Sequence, residues 1–166
     1  SNTKYWFNCD NEECGHEFEV TPSNISNPFP CWCPYCRVGA QIFCGNKKCK
    51  ICWNRSFASH WRSAYWCEEN NMDPWKVALN TDTKYLFYCD TCDHKFTSAP
   101  HAVNNNGNWC NYCTNMALCD DNNCEYCFNN SFASHWRAEW WNYAKNKVSP
   151  RDVFKCTNYE YYFECD

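Results

Sequence analysis

Aliphatic side chains are scarce in this chain. It has three leucines, three isoleucines and six valines, and with its 11 phenylalanines these make up about 14% of 166 residues. Disorder is suspected below roughly 20%, so an ordinary aliphatic core is excluded. No apolar segment is long enough for a signal peptide or a membrane span, which predicts no membrane partner. Only four glycines are present, and none belongs to a phosphate-cradling loop. No paired-carboxylate motif occurs twice, and catalysis within this segment is not expected. Excess positive charge is also missing, because the formal net charge is −4.

What the chain does have is 18 cysteines and 32 aromatic residues. Aromatic rings bury large areas each, and small scaffolds short of core are held by disulfides or metal. Spacing favours metal. Cys33–Cys36, Cys49–Cys52, Cys89–Cys92, Cys110–Cys113 and Cys124–Cys127 are all C-x2-C pairs. Two thiolates on one tight turn can face one ion. Tetrahedral zinc in a reducing compartment is therefore expected, since thiolates must stay unoxidised to bind it; a disulfide framework is the alternative.

The sequence repeats itself. "SFASHWR" occurs at 56–62 and again at 131–137, and "TKYWFNCD" at 3–10 returns as "TKYLFYCD" at 83–90. "CGHEF" at 14–18 returns as "CDHKF" at 92–96, and the segment 73–90 aligns without gaps to 149–166. The predicted organisation is a module over 1–72, a second over 73–148, and the start of a truncated third over 149–166. Each module reads as a β-hairpin whose turn is a cysteine knuckle, an irregular Asn/Pro-rich loop, further cysteines and a helix. That helix is expected to start at Ser56, with Phe57, Trp61, Ala64 and Tyr65 on one face. Trp66 and Trp141 lie off this face and are candidates to pack on a neighbouring module or a partner. Asp73-Pro74 and Ser149-Pro150 have the form that opens a helical turn. The expected fold is a small metal-stabilised α+β chain of tandem modules stacked as a short rod.

Two zinc sites per module, four per chain, follow from the spacing. The first sets are Cys9, Cys14, Cys33 and Cys36, and Cys89, Cys92, Cys110 and Cys113. The second sets are Cys44, Cys49 and Cys52 with His60, and Cys119, Cys124 and Cys127 with His135. A packed core histidine is the other reading of His60 and His135. His16 and His94 also repeat, and a supporting role beside the four-thiolate sites is expected of them, although they could compete for a ligand position. Cys165 aligns with Cys89 and reads as the first ligand of a truncated third site, so the native polypeptide is expected to continue. Cys31, Cys67 and Cys156 have no repeat partner and read as free thiols. Every expected site is closed by four protein ligands, the mark of structural rather than catalytic zinc.

These motifs, K-Y-W-F-x-C, C-x-H-x-F, W-C-x-Y-C, C-x4-C-x2-C and S-F-A-S-H, resemble the probable zinc-ribbon, treble-clef-like tandem repeats of giant DNA viruses. The resemblance covers essentially the whole chain and departs from the short-knuckle pattern at Cys9-x4-Cys14. It implies a zinc-supported fold in a virion or host cytoplasm. Loaded with zinc, each four-thiolate site carries −2 and each three-thiolate site −1, for a total of about −10. Phosphate binding needs a basic footprint. The local one, Lys47, Lys48, Lys50 and Arg55, is replaced in the second module by Asp120, Asp121 and Glu125. The expected function is a protein–protein scaffold, with viral capsid proteins as partners and a capsid-associated or cementing role. The alternative is a nucleic-acid-binding zinc ribbon, or an accessory zinc module of a nuclease.

Overall fold

A computed structural model describes residues 3–26, 32–37, 39–40, 42–105 and 109–165. The chain divides into two compact units, Ser1–Phe87 with Thr97–Gly107, and Tyr88–Phe96 with Asn108–Asp166. Two short hairpins carry the knuckles. Strand β1 (Tyr5–Asn8) pairs antiparallel with β2 (Glu17–Val20), setting Phe7 opposite Phe18. Strand β3 (Tyr85–Tyr88) pairs with β4 (Lys95–Ser98). Each strand is only four residues long, and such a pair is marginal without something packed on it. Trp32 provides this in the first unit, its ring 5.1 Å from Phe18 and 5.7 Å from Phe7. Trp109 stands 4.7 Å from Phe96 in the second. Both indoles donate to a knuckle aspartate, Trp32 to Asp10 at 2.7 Å and Trp109 to Asp90 at 3.1 Å.

The Asn/Pro-rich loops contain short helices rather than irregular chain: α1 (Pro22–Ile25) and α3 (Pro100–Asn105), each opened by a proline whose missing N–H costs nothing there. Helices α2 (Lys50–Arg55) and α4 (Glu125–Asn130) follow the cysteine triplets.

The SFASHWR segments correct the expected helix. Helix α2 stops at Arg55, because Ser56 is extended, with φ −85° and ψ 154°. Ser56 bridges Ala78, and the Phe57 N–H donates to the Val77 carbonyl at 2.8 Å. The chain then continues as separate 3-10 turns at Phe57–Ser59 and Trp61–Tyr65. Three residues per turn spread Phe57, Trp61, Ala64 and Tyr65 around the axis, so no common stripe forms. Phe57 is fully buried and Trp61 is exposed. The second copy repeats this with Ser131 bridging Phe154 and turns at Phe132–Ser134 and Trp136–Trp140.

This segment holds the strand that opens the next sequence repeat. Trp66 bridges Phe87, and its ring lies 4.6 Å from Tyr85, 5.3 Å from Phe87 and 5.6 Å from Phe57. The Asn70 side-chain amide clamps that strand, donating to the Leu86 carbonyl and accepting from the Leu86 N–H, both at 2.8 Å. In the second unit Trp141 bridges Phe163, and Asn146, in α5 (Tyr143–Asn146), makes the same pair of 2.8 Å bonds to Tyr162. The proline turns form as expected. Asp73 accepts from the Trp75 N–H at 2.9 Å, and Ser149 from the Arg151 N–H at 3.2 Å.

Candidate metal centres

Four clusters bring their ligand atoms within 4.8 Å of one another: Cys9, Cys14, Cys33 and Cys36; His16, Cys44, Cys49 and Cys52; Cys89, Cys92, Cys110 and Cys113; and His94, Cys119, Cys124 and Cys127. All 14 of the cysteines named as ligands in the sequence lie in these clusters. In the four-thiolate sets the hairpin turn supplies two sulfurs and the second knuckle two. The sulfur–sulfur separations are Cys9–Cys36 3.5 Å, Cys14–Cys33 3.6 Å, Cys89–Cys113 3.6 Å and Cys92–Cys110 3.5 Å. A tetrahedral zinc at ordinary Zn–S length needs sulfurs about 3.8 Å apart, whereas a disulfide needs about 2.05 Å. The donor sets fit zinc, and no described cysteine is in a disulfide.

The histidines differ from the expectation. His16 and His94 complete the triplets, and His60 and His135 do not. His16 Nε2 stands 3.2 Å from Cys49 Sγ and 3.7 Å from Cys52 Sγ. His94 Nε2 stands 3.3 Å from Cys124 Sγ and 3.4 Å from Cys127 Sγ. An imidazole and a thiolate on one zinc should lie about 3.6 Å apart. The reason is local geometry. A continuous helix would have turned His60 back toward Cys49 and Cys52, but extended Ser56 ends that helix four residues earlier. The hairpin, in contrast, carries His16 past its own knuckle, where the Cys9 N–H donates to the His16 carbonyl at 2.9 Å; Cys89 and His94 repeat this at 2.9 Å. Tyrosines from the second knuckles then hold the rings. Tyr35 stacks on His16 at 4.5 Å and Tyr112 on His94 at 4.1 Å. The sign of this stacking in the sequence is the tyrosine before the last cysteine of each second knuckle, Tyr35 and Tyr112.

His60 and His135 have a structural use. Each Nδ1 accepts the N–H two residues on, from Arg62 and Arg137, at 3.2 Å. Each ring stacks between a buried or half-buried phenylalanine, Phe57 or Phe132, and an exposed tryptophan. Burial, with Arg62 adding to it, lowers the His60 pKa and keeps that ring neutral.

The thiols are strongly perturbed. Burial pushes Cys52 up to about 12 and Cys127 up to about 11. At Cys119 burial also acts upward, but hydrogen bonds from His94, Cys127 and the Asp121 backbone outweigh it and bring the thiol down to about 6. Arg151 lies against this site, with Nη2 3.5 Å from Cys119 Sγ and 2.8 Å from the Asp121 carbonyl oxygen. Of the remaining cysteines, Cys67 is buried, Cys156 and Cys165 are exposed, and Cys31 lies outside the described residues. Bound at these positions, zinc would tie each hairpin to the knuckle or triplet that follows it, with four protein ligands at every site.

Comparison with known proteins agrees with this chemistry. A model of the probable treble clef zinc finger domain matches residues 63–116, which include Cys89, Cys92, Cys110 and Cys113. The chain is 33% identical over 159 residues to an uncharacterized protein of Acanthamoeba polyphaga mimivirus. That alignment covers 92% of this chain but 37% of the viral protein, so the chain spans little more than a third of the relative's length. No solved structure matches. The ligand geometry and the zinc-finger similarity together make this a zinc-binding chain with sites for four zinc ions.

Proposed function

We propose that the chain is a structural protein whose tandem zinc modules serve as a protein–protein interaction scaffold, without catalytic activity of its own. We place it in the virion of a large DNA virus as a capsid-associated or cementing component. One observation carries this reading. Trp61 and Trp136 are each 64% exposed, and each lies under an arginine, Arg62 at 4.7 Å and Arg137 at 4.4 Å. Exposed Trp–Arg pairs repeated in the same form fit a protein-binding surface, since interfaces are enriched in both residues. The similarity to a giant-virus protein supports the viral setting.

Nucleic-acid binding is the second reading, favoured by the exposed Lys47, Lys48 and Lys50. Co-sedimentation of the zinc-loaded chain with capsids isolated from a mimivirus-type virus separates the two. Binding should be lost in the Trp61→Ala/Trp136→Ala double variant while zinc content stays at four. Nanomolar, steeply salt-dependent DNA affinity with no capsid binding would favour the second reading.

A further inference from the structure

His16 touches two ligand sets at once. Its Nε2 faces Cys49 and Cys52, while its Nδ1 lies 2.8 Å from the sulfur of Cys14, a ligand of the neighbouring four-cysteine site. A neutral imidazole carries one N–H. With Nε2 turned to a metal, that proton sits on Nδ1, and Cys14 is its acceptor. Zinc-bound histidines usually give this proton to a carboxylate or carbonyl, which fixes the tautomer and raises ligand basicity. Here the acceptor is itself a metal ligand.

We propose that His16 couples the two zinc ions of the first unit, so that filling the four-cysteine site tightens zinc binding where His16 joins the cysteine triplet. The inference rests on zinc occupying both sets. Zinc in the four-cysteine site fixes the position of the Cys14 sulfur, and that sulfur, 2.8 Å from Nδ1, holds the Nδ1–H in a set direction. The ring is then held with Nε2 directed at the second ion. Tyr35 adds a mechanical link, because it stacks on the ring and sits between Cys33 and Cys36. By linkage the second ion tightens the first by the same factor.

The second unit is built less completely. His94 has a buried Nδ1 with no hydrogen-bond partner, although Cys92 stands at the same two-residue offset as Cys14. The Tyr112 stack is in place there, with Tyr126 edge-on to the same ring at 6.0 Å. Coupling in that unit is correspondingly weaker.

The test uses the full chain, labelled with 15N and loaded with 113Cd in place of zinc. The His16 ring should show scalar coupling from Nε2 to one cadmium and from the Nδ1 proton, across the Cys14 sulfur, to a second. Coupling to one cadmium alone overturns the bridge. Fewer than four cadmium resonances would instead overturn the ligand assignment on which it rests. A Co2+ titration of the Cys9→Ala variant measures the coupling, since it cripples the four-cysteine site while keeping Cys14. Affinity at the site of His16 and the triplet should fall about tenfold, with the Phe57, Trp66 and Phe87 resonances reporting that the fold survives. Unchanged affinity would overturn the coupling.

Discussion

The two sites built from a cysteine triplet and a histidine share ligand types and the spacing of their cysteines but differ in surroundings. The first is rimmed by exposed Lys47, Lys48 and Lys50, with Lys47 3.5 Å from Asp73. The aromatic Trp75 packs nearby, 6.0 Å from both Phe43 and Trp53. The second is rimmed by Asp120, Asp121 and Glu125, and the position of Trp75 in the repeat is taken by Arg151. Arg151 is buried, with its Nε and Nη1 unpartnered, and its Nη2 bonds Cys119. A buried cation is costly unless an anion compensates it, and a three-thiolate zinc site carries −1. The basic charge at the rim of the first site has thus moved inside at the second. Coordination is preserved, and the charges around it are free to exchange.

Removing the metal should have the largest effect and should erase the contrast. Each structural zinc contributes on the order of 10 kcal/mol, so a strong chelator should abolish cooperative folding of both units. A folded spectrum retained at full chelation would break the account.

Next come the two docked strands. Phe87 is fully buried, whereas its counterpart Phe163 is 46% exposed. Phe57→Ala should therefore cost about 3–5 kcal/mol, and Phe132→Ala about half of that, as read by denaturant melts. Equal losses would show that the two docking cores are equivalent.

Arg151 and Trp75 should respond differently. Arg151→Ala should lower zinc affinity at the second triplet site about tenfold. Trp75→Ala should cost about 3 kcal/mol in stability through lost packing, with zinc affinity at the first triplet site held within about threefold. Chelator competition measures both affinities, and identical behaviour would remove the charge-compensation argument.

Acid should affect the second triplet site in a predictable direction. Cys119 is held below its ordinary value of 9.0, at about 6. A lowered thiol stabilises the fold fully above pH 9, and that contribution disappears as pH falls through about 6. Melts of the zinc-loaded chain between pH 9 and 5 should show stability falling with pH, as protons compete with the metal for the Cys119 sulfur. Stability rising toward acid would have the wrong sign.

The cysteine ligands were legible because C-x2-C spacing is a covalent constraint that tertiary context cannot easily override. The hairpins and proline turns were legible for a similar reason, since their signals are local. The histidines were not. "SFASHWR" repeats letter for letter, and a central histidine after three cysteines at helical spacing reads as a ligand. What displaced it was Ser56, extended because its backbone bridges Ala78, 22 positions along the chain. No local propensity announces such a bridge. The segment is repeated because it caps, stacks and docks: Phe57 forms the core, His60 caps a turn, Trp66 holds a strand. The Asn70 and Asn146 clamps were also hidden, since asparagine is so abundant here that two aligned copies carry little signal.

The central claim is that His16 and His94, rather than the histidines of SFASHWR, complete the second pair of zinc sites. Zinc counted by native mass spectrometry on two double variants tests it most directly. His16→Ala/His94→Ala should retain two zinc ions per chain, and His60→Ala/His135→Ala should retain four. The reverse pattern would contradict the account.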